Sequence, residues 1–142
     1  SGGIQCRHQA AVEWLERAAE QRQPEALNEL AKSYAEGRGV EKDLKQAAHW
    51  SRHAAKHGVS AAVFRLAFFT QYGLGGVEAN ERRAVHLFKQ AALQGDVDGQ
   101  THLGKCLQHG VGVDQDLGSA VEWYRKAIGS GGVEARHLLG FC

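Results

Sequence analysis

Gly37-Arg38-Gly39-Val40-Glu41-Lys42-Asp43 lies between two helix-like segments, and the chain uses it again. Gly73-Leu74-Gly75-Gly76-Val77-Glu78-Ala79-Asn80 is a second copy, and Gly110-Val111-Gly112-Val113-Asp114-Gln115-Asp116 is a third. Each carries a Gly-x-Gly pair, a Val, and an Asp or Asn. A loop that recurs at a fixed spacing marks a recurrent unit, so the chain reads as a repeat protein. The loop residues also say how the unit turns. Gly37, Gly73 and Gly110 stand where a helix C-terminus takes a left-handed residue. Asp43, Asn80 and Asp116 stand where the next helix needs an N-cap acceptor. Capping accounts for these glycines, and no Lys-Ser/Thr follows them as a phosphate-cradling loop requires.

Outward from the loop, the segment after it also repeats. Residues 47–55 (AAHWSRHAA), 84–92 (AVHLFKQAA) and 120–128 (AVEWYRKAI) match an earlier stretch at 11–19 (AVEWLERAA). Their central large residues are Trp50, Leu87, Trp123 and Trp14, at offsets of 36, 37 and 36 residues along the chain. Ala11, Trp14, Leu15 and Ala18 recur at helical spacing, so this segment is an amphipathic helix, here called B. A second helix, A, precedes each loop, at 24–36, 60–72, 98–109 and, cut short, 134–142. Its aligned pairs are Leu30-Ala31, Leu66-Ala67, Leu103-Gly104 and Leu139-Gly140. A large residue beside a very small one suits close helix packing, which places Leu66 and Leu103 in the core. Pro24 fits a first helical turn, where its missing N–H costs nothing. The expected order is a cloning remnant or linker (1–3), a lone helix B (4–23), repeats at 24–59, 60–97 and 98–133, and a truncated helix A (134–142).

Helix A with Leu-Ala/Gly, the Gly-x-Gly-Val…Asp loop, and helix B with Ala-x-x-Trp-x-x-x-Ala-Ala together resemble the Sel1-like repeat, a relative of the tetratricopeptide repeat with a longer inner loop. The resemblance covers residues 10–142. It implies an all-α, right-handed α-solenoid of antiparallel helix pairs. It also implies a non-catalytic role, since family members act mostly as adaptors: in ER-associated degradation, in fungal cell-wall synthesis, and in bacterial signalling and host contact. Some exported bacterial members carry a disulfide within each repeat, a pairing that Cys6, Cys106 and Cys142 do not reproduce. The second unit departs from the pattern with Thr70, where its sisters have Tyr34 and Leu107.

Composition removes several function classes. Lys and Arg total 17 against 16 Asp and Glu. Such a balance gives no electrostatic case for nucleic acid or an anionic membrane. No run of 18 apolar residues exists to span a bilayer. The chain lacks methionine, so its first residue is not expected to be a native start. Three cysteines, one odd, form neither a disulfide framework nor a zinc pattern. As reduced thiols they lean toward a reducing compartment.

Two constellations could hide chemistry. His49, His53 and His57 recur every four residues, a spacing that can hold zinc. Their counterparts in other units are Glu13, His86 and Glu122, then Arg17, Gln90 and Lys126, all polar, so a solvated face turned away from Trp50 is the expected reading. Cys106 has His102 and His109 on its own helix, but its counterparts Ser33, Phe69 and Cys142 mark a packing position. No catalytic residue, metal or cofactor is expected.

Helix A lines the concave surface of such solenoids. On its outward side the second unit carries Phe64, Arg65, Phe68 and Tyr72. The first unit offers Asn28 and Lys32 there, and the third offers Thr101, His102 and Lys105. The truncated helix adds His137 and Phe141. Two other units hold polar residues where Phe64 and Phe68 stand, Asn28 with Lys32 and Thr101 with Lys105, although Phe141 recurs at the Phe68 position, so these rings are not needed by the repeat core. An apolar patch rimmed by Asn28, Lys32, Arg65 and Lys105 has the look of a peptide or partner-domain site. The positive rim suits an acidic segment or a C-terminal carboxylate. Two alternatives stand beside this adaptor reading: a spacer in a longer repeat protein, and a metal-binding protein acting through the histidine column. The truncated last repeat leaves a surface for self-association, because solenoid ends need polar caps.

Overall fold

The structure, a computed structural model, describes residues 23–131 together with Glu13, Trp14 and Arg17. Within 23–131 the chain forms helices and loops, with no strand. The helices are α1 (Pro24–Glu36), α2 (Leu44–Lys56), α3 (Ser60–Tyr72), α4 (Glu81–Leu93), α5 (Val97–His109) and α6 (Leu117–Gly129). Each packs on its neighbours in sequence, and α1 also touches α3. The result is an all-α solenoid of three A–B hairpins. Of the expected lone B helix only Glu13, Trp14 and Arg17 are described, and the expected truncated A helix lies outside the described residues.

The loops do what their residues dictate. Gly37, Gly73 and Gly110 take φ of 71°, 66° and 67°, and their N–H groups donate to the carbonyls of Ser33, Phe69 and Cys106. The next N–H donates to the same carbonyl, from Arg38, Leu74 and Val111. This pair of hydrogen bonds to one acceptor stops each A helix. Asp43, Asn80 and Asp116 then start each B helix, their side chains accepting from backbone N–H groups of the first turn. The Asp116 carboxyl is held below its usual range by the Ser119 N–H and hydroxyl that donate to it. The same three residues donate their own N–H to the carbonyls of Tyr34, Thr70 and Leu107. One residue therefore satisfies orphan groups on both helices of its hairpin.

In the second and third loops the second glycine does more than cap, contrary to the sequence reading. A Cβ on Gly75 would collide with the Leu44 carbonyl oxygen at the start of α2, and one on Gly112 with the Glu81 carbonyl oxygen at the start of α4. These two loops are thus each seated on the B helix of the preceding unit, and only a residue without a side chain lets the backbones approach so closely.

The core is a string of small clusters, one per junction. Leu27, Leu30, Ala54 and Ala62 form one, with the Trp50 ring packed against it. Ala67, Phe88, Leu103 and Cys106 form another. Trp14, at the helix B position of Trp50, is exposed. Gly104 makes room for a ring rather than for a backbone. Its missing Cβ would overlap Tyr124, which is fully buried and donates its hydroxyl to Gln108 Oε1 at 2.7 Å. The sister positions of Tyr124 are Ser51 and Phe88, opposite Ala31 and Ala67. The smallest residue of the A series therefore faces the largest of the B series.

Leu30 and Leu103 are buried, as expected from their shared position. Leu66 is not: it is half-exposed. Its burial depends on the residues one turn along α3 and across on α4, and in this unit they are smaller. Thr70 replaces Tyr34 and Leu107, and Leu87 replaces Trp50 and Trp123. The packing that closes over Leu30 and Leu103 is missing over Leu66.

Candidate functional site: the face of the A helices

α1, α3 and α5 contribute residues to one hollow of ≈ 440 Å³. It is lined by Asn28, Glu29 and Lys32 from α1, by Ala61, Phe64, Arg65 and Phe68 from α3, and by Asp96, Asp98 and His102 at the start of α5. The floor is aromatic. The Phe64 ring lies 4.9 Å from His102 and 5.8 Å from Phe88, while His102 stacks on Phe88 at 5.3 Å. Phe68 sits 4.8 Å from Tyr72 and 6.3 Å from His102. Phe64 and Phe68 are each half-buried rather than fully presented. Phe64 also packs against the core cluster around Phe88.

Six of the expected site residues come together here: Asn28, Lys32, Phe64, Arg65, Phe68 and His102. Tyr72 is exposed and reaches the hollow through Phe68. Lys105 is half-buried outside the lining. Thr101 is removed from the set. It is 3% exposed, and its hydroxyl donates to the Val97 carbonyl one turn back. α5 begins at Val97, one residue earlier than expected, so Thr101 holds the helical position of Asn28 and Phe64, and its short side chain stays covered there. His137 and Phe141 lie outside the described residues.

The rim is not uniformly positive, which corrects the expectation of a basic edge. Glu29, Asp96 and Asp98 stand among the lining residues with Lys32 and Arg65. Arg65 is engaged: its Nη1 donates to Asn28 Oδ1 at 2.9 Å. Burial lowers the Arg65 pKa, and the charges of Glu36 and Glu29 oppose that shift. Asp96 is raised above the usual carboxylate range, first by burial, against a 2.8 Å bond from the Gly99 N–H. Sequence reasoning missed Asp96. The available signal was Asp-x-x-Gly at a helix start, an N-cap whose carboxylate also faces the neighbouring helices.

Elsewhere the expected chemistry takes a bland form. His49, His53 and His57 are exposed. They do not all point away from Trp50, since His49 and His53 lie 5.0 and 5.9 Å from its ring and 4.7 Å from each other. Among the described residues no group of three or more His, Cys, Asp and Glu side chains converges to hold a metal. Cys106 is a free, buried thiol, pushed up to about 11, chiefly by burial. His53→Gln should therefore leave stability within ~0.5 kcal/mol, as for most surface changes. Thermal melts check the energy. Stoichiometric zinc on the unmodified chain, lost in the variant, would refute the reading.

The pattern of the Sel1 repeat matches residues 8–22, 24–59, 60–96 and 97–131. The chain belongs to the Sel1 repeat family. Sel1 repeat proteins are in general interaction scaffolds and regulators, and the fold is typically non-catalytic. The solved Sel1 repeat protein from Oxalobacter formigenes superposes with a TM-score of 0.83 at 32% identity, over 90% of this chain and 51% of that one. Chitin synthase regulatory factor 3 of Schizosaccharomyces pombe is 31% identical over 137 residues, covering 92% of this chain and 15% of the relative. DAP3-binding cell death enhancer 1 of Rattus norvegicus is 40% identical over 60 residues, 42% of this chain and 12% of the relative. The chain thus spans a small fraction of these two relatives. No helix among the described residues is long and apolar enough to cross a membrane.

Proposed function

We propose that this Sel1 repeat chain is a non-catalytic adaptor that holds an extended peptide segment of a partner protein in the hollow formed by α1, α3 and α5. The observation that carries the reading is the aromatic floor of Phe64, Phe68 and His102, open to solvent and spanning two A helices. Half-buried rings keep apolar surface that a partner side chain can cover, at ~25 cal/mol per Å². The mixed rim sets the kind of segment. An apolar anchor would sit on the rings, with an acidic neighbour toward Lys32 and a basic one toward Asp96 and Asp98. Such two-sign complementarity fixes direction along the groove. The names of the relatives, a synthase regulatory factor and a DAP3-binding protein, support a partner-binding role in the family.

The test separates the two phenylalanines, because Phe64 also serves the core. Phe68→Lys installs the residue that Lys32 and Lys105 already place at this position in the sister units. The variant should fold with an unchanged helical spectrum. Peptides selected from a displayed short-peptide library on the unmodified chain should bind it about 30-fold more weakly, the loss of one hot-spot residue. Selected peptides that bind Phe68→Lys with undiminished affinity would refute the site.

A further inference from the structure

The second hairpin differs from its sisters at two large positions, and both differences face one space. In the first unit Trp50 packs against the buried cluster that holds Leu30, as Tyr34 and Val40 do. In the third, Trp123 packs against the cluster that holds Leu103, as Leu107, Val111 and Val113 do. The second unit has Leu87 in place of the indole and Thr70 in place of Tyr34 or Leu107. A hollow of ≈ 590 Å³ opens there, bounded by parts of α2, α3, α4 and the loop before α4. It shares no lining residue with the hollow on the A-helix face.

The walls and the mouth differ in character. The buried and half-buried lining residues are Ala55, Val63, Leu66, Val77 and Leu87, with Thr70 the one polar member. The Thr70 hydroxyl already donates to the Leu66 carbonyl at 2.7 Å, so its proton needs no partner in the hollow. The exposed lining residues include Arg52, Lys56 and Arg83 against one acid, Glu78. Among the described residues none of the three cations is taken up in an ion pair. A slot shaped for a ring, apolar inside and cationic at its edge, with a volume in the ordinary range of small-ligand sites, is suited to one class of molecule.

We propose that this hollow binds a small aromatic carboxylic acid, with its ring where the sister units hold an indole and its carboxylate at Arg52, Lys56 and Arg83. The half-exposure of Leu66 follows from the same vacancy, because the ligand ring would cover it as Trp50 covers Leu30. Charge-assisted bonds from a guanidinium to a carboxylate would fix the orientation.

Indole-3-propionate is the probe, titrated into the intact chain by calorimetry and followed by backbone amide shifts. Saturable binding that weakens with salt is expected, with shifts centred on Leu66, Thr70 and Leu87. Arg83→Gln should weaken it at least about 5-fold, the loss of one charge-assisted contact. N-acetyltryptophanamide, which keeps the ring and lacks the carboxylate, should bind at least about 10-fold more weakly. Leu87→Trp with Thr70→Leu rebuilds the sister-unit packing and should abolish binding while holding or raising the melting temperature. The proposal is overturned if the unmodified chain shows no saturable binding, or if the filled variant binds as before. It is overturned equally if the amide binds as tightly as the acid, which would assign the slot to a neutral ring or a partner's tryptophan. Should the filled variant not fold, Arg83→Gln decides: undiminished binding of the acid then overturns the site.

Discussion

Leu103→Ala should lower the unfolding free energy by ~2–5 kcal/mol, and Leu66→Ala by about half as much, although the two leucines share one position in the repeat. Leu103 is buried among Phe88, Cys106 and Trp123, so truncation removes its transfer free energy and leaves a cavity that close-packed neighbours fill only in part. Leu66 already borders a hollow and is half-exposed. Its truncation enlarges an existing space and loses only part of a full burial term. Each hairpin leans on its neighbours, so either loss should appear as a shift of the whole unfolding transition. Urea denaturation of the two variants measures the difference. Equal costs would show that the space around Leu66 is closed in solution.

Gly112→Ala should cost on the order of 3 kcal/mol, from a left-handed residue given a side chain and from a clash with neighbouring backbone. Its φ is 69°, and the added Cβ would run into the Glu81 carbonyl. Gly75 stands in the same relation to Leu44 and should behave alike. Gly76 supplies the control. Its φ of 76° is equally left-handed, but its nearest neighbour is the flexible Lys45 Cγ at 3.9 Å. Gly76→Ala should therefore show the backbone penalty alone, ~1–2 kcal/mol. Equal losses at Gly75 and Gly76 by urea denaturation would remove the claim that the loop is seated on the preceding helix.

Helix positions were legible because two signals coincide three times. Left-handed glycines end the A helices at Glu36, Tyr72 and His109, and Asp or Asn starts each B helix. α5 began one residue earlier than read because Asp96, not Val97, is its N-cap. The burial of Leu66 was not legible from its position, since it is set by the size of Thr70 one turn along α3 and of Leu87 across the hairpin. The sign of the rim was missed for a related reason. Glu29, Asp96 and Asp98 reach the hollow from different helices, and a wheel drawn for one helix does not show what its neighbours bring. Phe64 and Phe68 were singled out as unlike the residues of the first and third units, but the contact of both rings with His102 belongs to the stacking of units.

The seating of the second and third loops on the preceding helices carries a consequence for assembly of the array itself. Gly75 on Leu44 and Gly112 on Glu81 are one joint made twice, with both members displaced by 37 residues. A joint that repeats in phase is modular. A whole hairpin cut between a B helix and the next A helix carries the glycine half of one joint and the carbonyl half of the following one. Duplicating or excising such a block should reproduce the native seam without redesign, whereas a cut within a loop would leave two mismatched halves. The length of the array is then free to change while the geometry of each seam stays fixed.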